Sequence, residues 1–141
     1  MDESKVKINE DLAFNEVERW ADAMKIDLYV KDAEGNKILD SAVSSLVKAM
    51  QEGSLIVNDK GEFEYTVSEA SPEKIAGTVL VFKRPNGAAF LSLDKFKATE
   101  GNHKIVSMAS SCTGQDISWF SKLDGYDYKI VQYIAGFFIA G

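Results

Sequence analysis

The sequence predicts an α+β fold: a small antiparallel sheet under a helical layer, with a mainly helical C-terminal half. Three observations lead there. The clearest strand-like runs lie in the middle of the chain, at 54–57, 62–67 and 78–83. Apolar residues recur at helical spacing before and after them. Segregated strands and helices indicate α+β, and a sheet this small needs helices over one face.

The elements follow in order. Residues 1–10 are polar and read as a flexible N-terminus. Asn9 or Asp11 caps a helix over 11–25, whose Leu12, Ala13, Val17, Trp20, Ala21 and Met24 recur at helical spacing. Residues 26–30 alternate as a short strand, Glu34-Gly35-Asn36 marks a turn, and 37–39 returns as a second strand. A first helix running on into Tyr29 is the rival reading. Asp40 or Ser41 caps the next helix, which carries Val43, Leu46, Val47 and Met50 and is ended by Gly53. Asn58-Asp59-Lys60-Gly61 joins strands 54–57 and 62–67 as a hairpin. A polar connection over 68–77 leads to the third strand, 78–83, and Arg84-Pro85-Asn86-Gly87 makes a turn. From about 91 the chain turns helical: a helix over 102–111 broken by Gly114, a short one capped by Asp116, and a last one following Leu123-Asp124. With 141 residues the chain reads as one domain, with helices and antiparallel strands in 11–87 and helices in 88–141.

Charge and composition narrow the function. A net charge of -6 and no basic run longer than Lys83-Arg84 argue against nucleic acid as a partner. The single cysteine, Cys112, excludes an internal disulfide and fits a reducing compartment. The start MDESKVKINE lacks the apolar stretch of a secretory signal, so the expected location is cytoplasmic. The last helix, GYDYKIVQYIAGFFIAG, is apolar on nearly every side yet shorter than the roughly 20 residues that cross a bilayer. It must be buried or must meet a partner. No membrane is expected as a partner.

Catalytic equipment is sparse. His103 and Cys112 lie more than two helical turns apart, and read as a surface histidine and a small buried thiol rather than a nucleophilic pair. One Cys and one His cannot build a structural zinc site. Asn58 to Glu62 superficially suggests a calcium loop, but Lys60 stands where a ligand is needed. No phosphate-cradling glycine motif occurs. Catalytic, cofactor and metal residues are therefore expected to be absent. Asp124 and Asp127, at i and i+3, read as helix-start residues that stabilise the dipole. Trp119, Phe120, Ile134, Phe137, Phe138 and Ile139 are the candidate partner contacts. Core placement is favoured for Trp119 and Phe120, and stays open for Phe137, Phe138 and Ile139.

Two stretches together resemble a known family. One is TVLVFKRPNG at 78–87, with Arg84, Pro85 and Gly87. The other is Leu123-Asp124-x-x-Asp127-Tyr128, leading into an apolar helix ending Gly136-Phe137-Phe138. They resemble the tail assembly chaperones of long-tailed bacteriophages, over about residues 76–141. Asn86-Gly87 departs from the family's usual residues after the proline. The resemblance implies a chaperone in the host cytoplasm that coats a tape-measure protein and brings tail-tube subunits to it, self-associates, and exists here in its short form. A structural virion or tail adaptor subunit is the alternative, and a small enzyme a third.

Overall fold

The computed structural model describes residues 8–37 and 39–140. The first helix, α1 (Glu10–Met24), starts one residue earlier than predicted. Asn9 caps it, its Oδ1 accepting from the Leu12 N–H at 2.9 Å. It ends because Lys25 adopts a left-handed conformation, φ 59°. That stop removes the rival reading of a helix continuing into Tyr29. No strand forms over 26–30: between the helices only an isolated bridge joins Lys31 and Lys37. Asp32 explains why, since its carboxylate accepts from the Glu34 and Asn36 N–H groups and closes the turn locally. Ile38, expected in the returning strand, and residues 1–7 of the expected flexible terminus lie outside the described residues. Glu10, assigned to that terminus, is helical.

The second helix, α2 (Asp40–Gln51), has Leu39 at its N-cap and no side-chain cap, so Asp40 acts in the first turn rather than as the cap. Strands β1 (Leu55–Val57) and β2 (Phe63–Thr66) form the expected hairpin, and β3 (Val79–Phe82) pairs antiparallel on the far side of β2. Turn 58–61 is built by Asn58, whose Oδ1 accepts from the Lys60 and Glu62 N–H groups. Its Gly61 has φ 78°, and a Cβ there would lie 2.5 Å from the Ala23 Cβ, so the hairpin tip sits hard against α1. Arg19 of α1 reinforces this by donating to the Val57 carbonyl at 3.1 Å.

The C-terminal half holds α3 (Gly87–Leu91), a 3-10 turn (Ser92–Lys95), α4 (Gly101–Thr113), a second 3-10 turn (Ile117–Lys122) and α5 (Gly125–Ala140). Gly87 opens a helix capped by Asn86 instead of closing a turn, because the Asn86 Oδ1 accepts from the Ala89 N–H. Asp116 sits at the N-cap of the second 3-10 turn without a side-chain hydrogen bond. The architecture is the predicted α+β one.

One sheet face is the core. Leu55, Phe63, Tyr65, Val67, Leu80 and Phe82 point inward, alternating with outward-facing Ile56, Glu64, Thr66, Val79 and Val81. Trp20 links the layers. Its ring stacks on Phe63 at 4.2 Å and meets Phe137 and Phe138 edge-on at 5.6 and 5.5 Å. No acceptor among the described residues meets its indole N–H, so packing holds the ring.

Gly61→Ala should lower unfolding free energy by about 1–3 kcal/mol through backbone strain and overpacking on Ala23. Gly35→Ala, with similar φ but open space around it, should cost less. Equal costs in urea unfolding would mean that the hairpin contact contributes nothing.

Candidate interaction surface

Asp127, read from sequence as a helix-start carboxylate, is a buried anchor. Its Oδ1 accepts from the Tyr65 hydroxyl at 2.5 Å and the Ser68 N–H at 3.0 Å. Its Oδ2 accepts from the Ser68 and Ser71 hydroxyls at 2.8 and 2.6 Å. Ser71 in turn accepts from the Asp124 N–H at 2.8 Å. Asp124 keeps the expected role, its Oδ2 accepting from the Tyr126 N–H. Burial works against the charged form of Asp127. The donors from Ser71, Tyr65 and Ser68 together outweigh it and hold the carboxyl below its ordinary value. Burial, then the bond to Asp127, pushes the Tyr65 phenol up. Every acceptor site is directed at the fold itself, so the cluster joins α5 to the β2–β3 connection.

The apolar C-terminal helix is likewise interior. Phe120, Ile134, Phe137 and Phe138 are buried, Phe137 completely, and cannot meet a partner without unfolding. Ile139, at 38% exposure, and half-buried Trp119 remain at the surface. Leu123 is buried, while Arg84 and Gly87 are exposed and Pro85 half-buried. His103 and Cys112 occupy the first and last turns of α4, about 13 Å apart along the axis. His103 Nδ1 pairs with Glu100 at 3.1 Å, and burial pushes the Cys112 thiol up to about 12. Among the described residues no group of three or more metal-ligating side chains forms, and no helix is long and apolar enough to cross a membrane.

Several grooves remain. One, about 710 Å³, runs between α1 and α2. Phe14, Val43 and Val47 floor it, and Glu10, Asp11, Asp40 and Lys48 line its walls. The three carboxylates are exposed and have no ion-pair partner among the described residues. Sequence reading singled out Asp11 and Asp40 only as candidate caps and missed Glu10. Their signal was acid in the first turns of two amphipathic helices. Another groove, about 520 Å³, lies among Phe96, His103, Val106, Ile117 and Tyr128.

The family model for the MCM protein C-terminal winged helix-turn-helix domain matches residues 4–68, somewhat under half of the chain. No curated protein matches the chain. No solved structure matches it. The match overturns the tail assembly reading. It falls on the half that carried no tail-assembly motif, and it names a winged helix domain. The chaperone role, the virion and adaptor alternatives, and the tape-measure, tail-tube and self-association partners all go with it. The exclusion of nucleic acid also falls, because helix-turn-helix units are a DNA-docking class. Physically, the supposed motif residues are occupied inside the fold: Asp127 anchors α5, and Phe137 and Phe138 pack on Trp20.

Within 4–68 the structure has α1, the Lys31–Lys37 bridge, α2 and the β1–β2 hairpin. Helix, helix and hairpin occur in winged-helix order. However, fifteen residues separate the helices, where a helix-turn-helix uses a turn of about three or four. The hairpin tip is also held on α1 rather than projecting. The segment carries eight Lys/Arg against thirteen Asp/Glu.

Asp127→Ala should cost about 2–4 kcal/mol, since it strands buried hydroxyls and the Ser68 N–H. Because the folded-state pKa is depressed, Asp127 contributes stability that is present above its unfolded value and lost as pH falls through the folded one. Urea unfolding from pH 6 downward should therefore show a decline below about pH 4 that is shallower in Asp127→Asn. Phe137→Ala should cost about 3–5 kcal/mol in the same assay. A loss under 1 kcal/mol would contradict its core placement.

Proposed function

We propose that this chain is a non-catalytic interaction domain, acting as one unit, whose α1–α2 surface receives a basic and apolar segment of a partner protein. The observation that carries the reading is the groove itself: an apolar floor lined by three carboxylates that have no ion-pair partner among the described residues. It lies on α2, the helix that precedes the hairpin, where a winged-helix unit presents its contact helix. The acidic surface complements Lys or Arg in the partner, which sets orientation and speeds encounter. Phe14, Val43 and Val47 supply the desolvated contact on which affinity depends. A reducing, cytoplasmic setting suits the buried free thiol of Cys112.

The winged helix match favours a second reading, direct binding of duplex DNA. Acidic groups around α2 oppose it, because phosphate contacts dominate such affinity.

Fluorescence anisotropy separates the two. A labelled amphipathic peptide with Leu and Arg at i, i+3 and i+4 should bind the wild type. Asp11→Lys with Asp40→Lys should weaken it by about tenfold or more at low salt, with only a small fall in melting from the lost helix-dipole contacts. A duplex of about 20 base pairs should bind less tightly than the peptide. Duplex binding without peptide binding would replace the first reading with the second. Binding of neither would reject both.

A further inference from the structure

β3 is an outer strand of the sheet, and its far edge is open over a defined stretch. The register shows which backbone groups face outward. The Gly77 N–H donates to the Val67 carbonyl, and the Val67 N–H donates to the Thr78 carbonyl, both at 2.9 Å. With Gly77 at φ 85°, this is a glycine bulge that sets the pairing phase. From it, Leu80 and Phe82 turn their N–H and C=O groups toward β2, and Val79 and Val81 turn theirs away. Lys83, next in the outward series, is satisfied: its N–H donates to the Cys112 carbonyl at 3.0 Å, at the end of α4. Among the described residues no hydrogen-bond partner meets the outward N–H of Val79 or Val81. Val79 is 51% exposed, while α4 packs beside β3 and closes its outward edge at Lys83.

The flanking side chains define the chemistry of what would sit there. Val79 and Val81 present β-branched apolar surface on the outer face. Just beyond stand Lys83 and Arg84, both exposed, with no carboxylate within 4.0 Å among the described residues. Glu64 lies across from Val81, and the extended register places Glu62 across from Lys83. Those two carboxylates are held by the Asn58 amide at 2.9 and 3.1 Å.

We propose that the β3 edge accepts an extended segment of a partner protein as a fourth, antiparallel strand. The segment carries acidic residues at its N-terminal end, opposite Lys83 and Arg84, followed by alternating β-branched residues beside Val79 and Val81. Unpaired outward donors and acceptors are a template for strand addition, with main-chain bonds giving affinity and alternate side chains specificity. A second copy of this chain is the poorer occupant, since its β3 brings the same two cations rather than the carboxylates they lack. The short open stretch makes the contact weak and reversible. It lies outside residues 4–68 and is independent of the α1–α2 groove.

The test is amide hydrogen exchange by NMR with a synthetic peptide of two glutamates followed by alternating valine and threonine. In the dilute chain alone, the Val79 and Val81 amides should exchange quickly while those of Leu80 and Phe82 are protected. The peptide should slow exchange at Val79 and Val81. Val79→Pro removes an outward donor without removing a bond to β2, and should abolish that binding. Because proline can disturb β3, Lys83→Glu with Arg84→Glu is the second variant. It should weaken binding by about tenfold at low salt with unchanged melting. Protected Val79 and Val81 amides in the dilute chain would overturn the proposal. So would protection rising with protein concentration alone, which would assign the edge to a second copy. Absence of binding, or binding indifferent to both variants, would overturn it as well.

Discussion

A single buried carboxylate ties the C-terminal helix to the β2–β3 connection. Asp127 sits in the first turn of α5, and its donors come from β2 and the connection that follows it. A charge in that position is tolerable only because four donors replace its lost water. The same bonds place α5 against the inner face of the sheet. Once α5 is there, Phe137 and Phe138 reach the edges of Trp20, whose other face lies on Phe63. Helix α1, the sheet and α5 thus share one aromatic cluster, aligned by a polar contact at its margin.

That arrangement explains why the most apolar helix of the chain is not its contact surface. An apolar helix at a chain end has two outcomes, and here α4 and α2 pack along it while Trp20 of α1 covers its aromatic end. The surface accessible to a partner is thereby confined to what the core leaves outside. On the N-terminal side that is a groove floored by Phe14, Val43 and Val47 and lined by acid. On the opposite sheet edge it is two valines with unpaired backbone and two cations beyond them. The two surfaces differ in charge and in mode of recognition, one through side chains and one through the main chain.

The winged helix match and the structure agree on element order and differ on geometry. A turn joining two helices directly would leave α2 projecting. Here the intervening residues close on themselves around Asp32, and the hairpin tip is tied to α1 by Gly61 and Arg19. Both departures reduce what a duplex would meet and leave the helix–helix groove as the more developed feature.

Local physics was legible in the sequence. Periodicity gave four of the helices to within a few residues, and alternation gave three strands and their inward faces. The Asn58–Gly61 hairpin was legible because its side-chain and φ requirements are local. Some failures were local, as at Asn86-Gly87, where a side-chain cap opens a helix, and the others depended on distant residues. Asp127 reads as an ordinary helix-start acid, since its partners are 56 to 62 positions away in sequence. Trp20 and Phe137 carry no mark of each other. The outward phase of β3 hinges on a bulge at Gly77, whose partner is Val67. Sequence alone determined which segments are helix or strand and that the chain is acidic, because backbone preference and charge are properties of neighbours and of sums. Tertiary structure alone decided that the terminal helix is core and that an acid-lined groove and an open strand edge remain. Burial depends on which surfaces meet, and only the packed chain brings them together.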